Sequence, residues 1–450
     1  MQREKVHIVS LGCPKNLIDS EVMAGILDKA GYVLTESPEQ ADILLVNTCA
    51  FILPAREEAI AEIFRLAAWK QSGKIPCPRL VVTGCLPQRH GRELEEALPE
   101  VDLFLGTAEV PRIARHLNAL MKDTRTVRGR RAIVGPPNFL MNARHRRLIS
   151  TTANSSYIKI ADGCSNHCSY CVIPAIRGES RSRPMNDILR EAEGLADRGI
   201  RELIVTGQDT TAYGRDRSGR PTLDRLLHEL CGIDGLSWIR LLYTHPAHLT
   251  EAVLRTIAAE EKICKYLDIP IQHSHDAILS AMNRGVDEAS IRGIIATARN
   301  LIPGVALRTS IIVGFPGETP SRFGQLLDFL RQIRFDHLGV FTYSREEGTP
   351  AAALPARISE RERQRRRDLV MEEQAQISRE INAGLVGTVQ EALVEGPDTV
   401  AGYSHVGRCR RQSPEIDGVT HLCGRDLQPG RIVTCRITAA DDYDLFAERL

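Results

Sequence analysis

The chain has 450 residues, 58 Lys and Arg against 57 Asp and Glu, and a net charge of +1. That balance excludes a globally basic nucleic-acid glove and an acidic solvating tail. With 43% hydrophobic and 26% charged residues, it is not a disordered chain. The longest apolar stretch, Ile43 to Leu53, is broken by Asn47 and Thr48 and falls short of the roughly 20 residues a membrane helix needs. The opening Met-Gln-Arg-Glu-Lys does not read as a signal peptide. Twelve cysteines without an export signal point to metal binding or catalysis in the cytoplasm, not to a disulfide framework.

From Lys5 to about Met121 short apolar runs alternate with helical patterns. Lys5–Gly12, Asp42–Thr48, Leu80–Gly84 and Val101–Gly106 read as strands, Asp19–Ala30 and Arg56–Lys70 as helices. The pattern predicts a parallel α/β sheet and a first domain over residues 4–121. Residues 122–149 read as a basic linker: Lys122, Arg125, Arg128, Arg130, Arg131, Arg144, Arg146 and Arg147 face one acid, Asp123, around Pro136-Pro137. The linker is either a contact patch or a solvated connector.

The alternation resumes over a second domain, residues 150–383. Tyr157–Ala161, Glu202–Thr206, Trp238–Tyr243, Tyr266–Ile269, Ala306–Val313 and His337–Tyr343 are its strands, and an Arg-rich helix trails from Ser359 to about Ala383. Six βα steps predict a partial (β/α)6 TIM-like barrel. Residues 386–450 change again, to the short β-type runs Thr388–Val394, Val400–Cys409, Val419–Cys423 and Arg431–Thr438 separated by Gly, Pro and Asp. They predict a small β-barrel. The fold class is therefore α/β, with a C-terminal β module.

Cys164, Cys168 and Cys171 form a Cys-x3-Cys-x2-Cys motif immediately after the strand Tyr157–Ala161. Three closely spaced thiolates each hold one iron of a cubane and leave the fourth iron open. A structural zinc site would want a fourth ligand, and no Cys stands close enough to supply it. The motif, with Tyr170 before its third Cys, resembles the radical S-adenosylmethionine (SAM) superfamily. The resemblance implies a 4Fe-4S cluster whose open iron is chelated by SAM, and cleavage of SAM to a 5′-deoxyadenosyl radical by one low-potential electron. It places Tyr170 near the adenine; a core aromatic is the competing reading. The segment Val205–Thr211, with Gln208 and Asp209, resembles the part that contacts the SAM amino group. The segment Ile311–Glu318, with Gly314, resembles the part that passes the adenine.

Cys13, Cys49 and Cys85 are spaced 36 residues apart, each just after a predicted parallel strand. Parallel strands end on one sheet edge, so the three thiols should converge there; ordinary buried cysteines are the alternative. Cys77, Cys231, Cys264, Cys409, Cys423 and Cys435 show no such pattern and read as packing or surface thiols. Two three-Cys sets and a C-terminal β module resemble the radical-SAM methylthiotransferases along nearly the whole chain, the module matching their TRAM domain, an OB-like barrel. The resemblance implies two 4Fe-4S clusters, the second handling sulfur, and SAM as both radical source and methyl donor.

The family divides into tRNA-adenosine modifiers and a branch that modifies an aspartate of ribosomal protein S-twelve at its β-carbon. Ser10–Glu21, Gln208–Gly214, Tyr266–His273, Val340–Thr349, and Gly407-Arg408 followed by Pro414–Gly418 resemble the second branch. After its first Cys this chain has Pro14-Lys15-Asn16, where the tRNA branch usually has Gln-Met-Asn. Charge agrees: residues 386–450 carry seven Arg, no Lys and ten Asp or Glu, a net charge of −3. Such a module suits a basic protein better than RNA phosphates. The expected partners are ribosomal protein S-twelve, free or in the small subunit, and a low-potential electron donor, with neither a membrane nor tRNA and with the enzyme a monomer. A tRNA-adenosine methylthiotransferase and a non-catalytic iron–sulfur or RNA-binding assembly factor are the alternatives. His245, His273 and His275 near strand ends read as structural, because radical abstraction needs no acid–base residue.

Overall fold

The computed structural model describes residues 3–71, 78–122, 131–151 and 154–450. Cys77, Asp123, Arg125, Arg128 and Arg130 lie outside the described residues. The chain divides into two compact units: residues 1–150 with 161–166 and 171–188, and residues 151–160 with 167–170 and 189–450.

The first unit is built on β1 (Lys5–Ser10), α1 (Pro14–Lys29), β2 (Val33–Leu34), β3 (Ile43–Thr48), α2 (Leu53–Gln71), β4 (Arg79–Gly84), α3 (Cys85–Ala97), β5 (Leu103–Leu105), α4 (Ile113–Lys122) and β6 (Ala132–Ile133). The six strands pair in parallel in the order β2-β1-β3-β4-β5-β6. Strand β3 is buried along its whole length, which is why it reads as a continuous apolar run. Leu44, Val46, Leu80, Val82 and Phe104 of the sheet pack with Ile63 and Leu66 of α2 and Leu94 of α3.

Helix α1 begins earlier than the expected Asp19. Pro14 occupies its first turn and Cys13 its N-cap, where proline's fixed φ and missing N–H cost nothing. The described part of the segment read as a linker is structural. Its Ala132–Ile133 supplies the sixth strand, and Arg147 pairs with Glu21 at 2.6 Å, both buried.

Strand β7 (Ser155–Lys159) belongs to the second unit, whereas β8 (Ala161–Asp162), α5 (Ile173–Arg177) and β9 (Arg181–Ser182) belong to the first, β8 and β9 pairing antiparallel. Helix α6 (Met185–Asp197) follows. The second unit continues with β10 (Glu202–Thr206), α7 (Arg215–Ser218), α8 (Leu223–Cys231), β11 (Trp238–Leu241), α9 (Glu251–Ala259), β12 (Tyr266–Asp268), α10 (Asp276–Ala281), α11 (Glu288–Leu301), β13 (Ala306–Val313), α12 (Pro320–Ile333), β14 (His337–Thr342) and α13 (Glu360–Ala383). The sheets β7-β10-β11 and β12-β13-β14 are parallel, with a bridge from Ile239 of β11 to Ile263 ahead of β12. All six expected barrel strands are present.

The C-terminal module is a closed barrel of β15 (Val389–Pro397), β16 (His405–Cys409), β17 (Thr420–Cys423), β18 (Ile432–Ala440) and β19 (Leu445–Arg449). Strand β19, absent from the sequence reading, closes it by pairing parallel to β17 and antiparallel to β18. The run expected to be strand from Val400 is so only from His405; a turn precedes it.

Residues Arg408–Asp417 of this module lie against the N-terminal ends of the barrel strands. Glu202, the first residue of β10, accepts from Arg408 Nη2 at 2.6 Å and from Arg240 Nε at 2.7 Å. Tyr266, the first of β12, donates its hydroxyl to Asp417 at 2.7 Å, and His337, the first of β14, meets the Arg411 carbonyl at 2.8 Å. The opposite ends of the strands are left for chemistry, as in barrel enzymes. Among the described residues, no helix is long and apolar enough to cross a membrane.

Candidate functional site

In the first unit, β1, β3 and β4 end level: Ser10 is opposite Asn47, and Thr48 opposite Gly84. Cys49 and Cys85 are the next residues of their strands, and Cys13 follows Ser10 after a short turn. Gly12 makes that turn at φ +91°, and a Cβ there would sit 2.6 Å from Cys49 Cβ and 3.2 Å from its Sγ. Cys13 and Cys49 therefore adjoin only because residue 12 has no side chain. The three thiols are free; Cys49 and Cys85 are buried and Cys13 half-buried.

Two of the three thiols resist ionising and the third does not. Burial, together with the neighbouring charges of Cys85 and Cys13, pushes the Cys49 thiol up to about 12. Burial raises Cys85 as well, against the pull of Arg177. Cys13 moves the other way: Lys15, the Asn16 N–H at the start of α1 and Arg177 outweigh its burial. Thiols that resist ionising together form the donor set a cationic iron core deprotonates as it binds.

Asn16, marked in the sequence only as part of the Pro14-Lys15-Asn16 run, braces this edge together with Arg177, which the sequence does not mark. Asn16 donates from Nδ2 to the Leu11 carbonyl at 3.0 Å and the Thr48 carbonyl at 2.9 Å, tying the ends of two strands. Its Oδ1 accepts from Arg177 Nη2 at 2.5 Å. The expected helix begins at Asp19 and leaves Asn16 out; α1 in fact starts at Pro14 and buries Asn16, Asp19, Ser20 and Glu21 along with Ile18 and Val22. Polar residues on the buried positions of a helix need partners.

The Cys-x3-Cys-x2-Cys loop is held at separate points. In the first unit, Cys164 donates its N–H to the Gly178 carbonyl at 3.0 Å. Gly163 precedes it at φ +82°, where a Cβ would strike the Glu179 carbonyl at 2.1 Å. Cys171 lies just ahead of α5. In the second unit, His167–Tyr170 is stitched to the end of α10: the Ser169 N–H donates to the Met282 carbonyl at 2.9 Å, and Asn283 Nδ2 to the His167 carbonyl at 2.7 Å. Arg284 Nη1 donates to Cys168 Sγ at 3.4 Å and Nη2 to the Pro270 carbonyl at 2.6 Å.

Also in the second unit, Tyr170 packs against a cluster of Ile278, Met282, Phe315, Tyr343 and Ala351. Phe315 follows Gly314, so one apolar cluster brings Tyr170 to the end of β13. Gly314 has φ +75° and donates its N–H to the Glu318 carboxylate; a Cβ there would meet Arg363 Cγ at 2.2 Å. Glu318 is buried and anchors the loop through Arg366 Nη1 at 3.0 Å.

Gln208 and Asp209 follow β10. Asp209 caps the turn Thr210–Ala212 and accepts from Thr211 Oγ1 at 2.5 Å and the Ala212 N–H at 3.2 Å. Its other oxygen meets His248 Nδ1 at 2.8 Å. Burial would raise this carboxyl, but the bonds from His248 and Thr211 hold it down at about 2. His245 lies beside it, its ring stacked on His248 at 4.9 Å. Burial and the nearby Arg284 charge lower its pKa to about 3, so the ring is neutral at pH 7. One atom each of Asp209, His245 and His248 lies within 4.8 Å of the others. Nδ1 of His245 accepts the Ala247 N–H at 3.2 Å, which puts its proton on Nε2. Within the trio Asp209 and His248 are bonded to each other, whereas His245 Nε2 is buried with no hydrogen-bond partner among the described residues. His273 is fully buried, its Nε2 3.6 Å from Glu318 Oε1.

Comparison with known proteins agrees with this layout. Residues 5–106 match the uncharacterized protein family UPF0004, residues 158–330 the radical SAM superfamily and residues 386–450 the TRAM domain. The chain is 61% identical to the ribosomal protein uS12 methylthiotransferase RimO of Syntrophus aciditrophicus, over 100% of this chain and 99% of that one. It is 49% identical to the protein of the same name from Geobacter sulfurreducens, over 99% and 98% of the two chains. Among solved structures it is similar to the radical S-adenosylmethionine methyltransferase TsrM from Kitasatospora setae. The TM-score is 0.55 at 17% identity, covering 78% of this chain and 74% of that one. At that identity the likeness is one of fold.

Proposed function

The chain belongs to the family of ribosomal protein uS12 methylthiotransferases, and we propose that it places a methylthio group on the β-carbon of an aspartate of ribosomal protein uS12. One observation carries the methylthiotransferase chemistry above the others, and the likeness to uS12 enzymes supports the substrate. Cys13, Cys49 and Cys85 adjoin three level strand ends, in a chain that holds Cys164, Cys168 and Cys171 in a separate loop. One set of three thiols suffices for reductive cleavage of SAM; the second provides for sulfur.

The residues fit two 4Fe-4S clusters. Each set offers three soft donors, none joined in a disulfide, and three donors leave one iron of a cubane open. Cys164, Cys168 and Cys171 would hold the cluster that binds SAM, and Cys13, Cys49 and Cys85 the other. When bound, the clusters and SAM supply the one-electron chemistry that removes an unactivated C–H hydrogen. The protein's own groups position and shield. Arg284 donates to the Cys168 sulfur, and the Gly314 turn keeps a side chain away from the path assigned to the adenine. Tyr170 offers its ring there, and Gln208 stands at the end of β10 for the SAM amino group. Asp209 acts through the turn it caps.

The −3 charge of residues 386–450 suits a basic ribosomal protein. The enzyme works in the cytoplasm as a monomer and takes electrons from a low-potential donor. The test is the intact mass of uS12 from cells with the gene, without it, and with a Cys49→Ala copy. The added mass of a methylthio group should appear in the first sample alone. Its presence without the gene, or its absence from all three, refutes the proposal.

A further inference from the structure

Arg177 ends α5, the short helix that starts just after Cys171. It is 4% exposed, and Asp19, Asp162, Asn16 and Cys85 around its guanidinium all lie in the first compact unit. Nη1 donates to Asp19 at 2.6 Å and stands 3.5 Å from Asp162. Nη2 donates to Asn16 Oδ1 at 2.5 Å and to Cys85 Sγ at 3.5 Å. Asn16 is itself fixed to two strand-end carbonyls, so the fork has one orientation, with an N–H on the Cys85 sulfur. Asp19 and Asp162 are both 2% exposed.

Burying a guanidinium with two carboxylates costs desolvation that an apolar filling of the same volume would avoid. The arrangement gains a purpose when the thiols beside it become thiolates. Three cysteinate charges in a buried pocket need a fixed positive charge, and hydrogen bonds to ligand sulfurs raise a cluster's reduction potential by stabilising its more negative state. A lysine is a poorer fit, since its point charge cannot span Asp19, Asn16 and Cys85 in one plane.

We propose that Arg177 is the positioning and charge-compensating residue of the cluster held by Cys13, Cys49 and Cys85, donating to the Cys85 sulfur and holding that cluster's potential up. Because α5 begins two residues after Cys171 and ends at Arg177, one short segment joins a ligand of one set to the charge partner of the other. The proposal rests on the reading that these three cysteines hold a cluster, and the experiment separates the two.

The parent for the test is the full chain with Cys164, Cys168 and Cys171 replaced by Ala, reconstituted with iron and sulfide. Iron content is measured first. A parent that takes up no iron overturns the ligand reading and this proposal with it. A parent with iron is titrated redox-potentiometrically by EPR beside its Arg177→Gln and Arg177→Lys versions. A second pair, Asp19→Asn with and without Arg177→Gln, avoids stranding the Asp19 carboxylate.

At the parent's midpoint, the reduced-to-oxidised ratio should fall about tenfold in Arg177→Gln. That is a downward shift of about 59 mV for a one-electron couple. The same fall is expected within the second pair, with partial recovery in Arg177→Lys. Loss of iron at an unchanged unfolding temperature also supports the assignment. No shift, an upward shift, or loss of iron only together with the fold in both pairs assigns Arg177 to the fold alone and overturns it.

Discussion

Replacing Glu202 by Gln removes the one carboxylate shared by two buried arginines beneath the barrel. Glu202 and Arg240 are fully buried and Arg408 is 1% exposed. Burial would raise the Glu202 carboxyl, but Arg408 and Arg240 outweigh it and hold it at about 2 instead of an ordinary 4.5. A carboxyl depressed that far contributes about 3 kcal/mol to the folded state at pH 7. Removing one partner of a buried ion pair independently gives about 3–5 kcal/mol. Because the folded pKa lies below the unfolded one, the contribution is complete above about pH 4.5. It declines as pH falls toward 2, and by linkage about 1.5 kcal/mol should remain at pH 3. Trp238 opens β11 beside this network, with the Arg410 guanidinium 5.4 Å from its ring. The chain has two tryptophans, so a Trp69→Phe background makes Trp238 the sole reporter. Urea unfolding followed by its fluorescence should show Glu202→Gln less stable by about 3 kcal/mol at pH 7 and by about half that at pH 3. A loss under about 1 kcal/mol at pH 7, or a difference that does not shrink in acid, refutes the reasoning.

Further outcomes follow from the two sulfur sites and the loops around them. Cys168→Ala should abolish reductant-dependent formation of 5′-deoxyadenosine, whereas Cys49→Ala should keep it and lose methylthiolation; chromatography of the nucleoside and the mass of uS12 separate the two. Gly12→Ala forces a side chain onto a φ of +91° and onto Cys49. It should cost about 1–3 kcal/mol and lower the iron bound by the triple Cys164, Cys168 and Cys171 variant, read by metal analysis; full iron at native stability would contradict the packing described. Glu318→Gln loosens the Gly314 turn by weakening its ion pair with Arg366. SAM affinity measured by equilibrium dialysis should fall several-fold, and unchanged affinity would detach this loop from the cofactor.

The sequence displayed the framework because buried parallel strands are continuous apolar runs: Ile43–Thr48 and Ala306–Val313 are visible without a structure. The six cysteines stood out by spacing alone. What escaped was carried by polar residues acting across long sequence separations. Arg177 and Asn16 are 161 residues apart and Arg408 and Glu202 are 206 apart; nothing local marks either pair. Strand β19, Leu-Phe-Ala-Glu-Arg, was missed because its register comes from its neighbours and not from its own alternation. Asp209 was legible as a site-segment residue, but its engagement as a turn cap was not.

The two cysteine sets also differ in when they come into being. Cys164, Cys168 and Cys171 share one loop, so even an unfolded chain gathers them at little loop-closure cost. Cys13, Cys49 and Cys85 meet only after β1, β3 and β4, joined through α1 and α2, have paired in register. On the proposed ligand sets, a nascent or partly denatured protein offers iron one landing place, and the second is created by the sheet itself. A lesion in the N-terminal sheet that spares the packing of Val172 and Ile176 beside Cys171 should leave the loop's iron in place. Iron starvation, by contrast, empties both sites while Leu44, Val46, Leu80 and Val82 keep the strands together. The stoichiometry of bound iron thus reports which half of the maturation has failed.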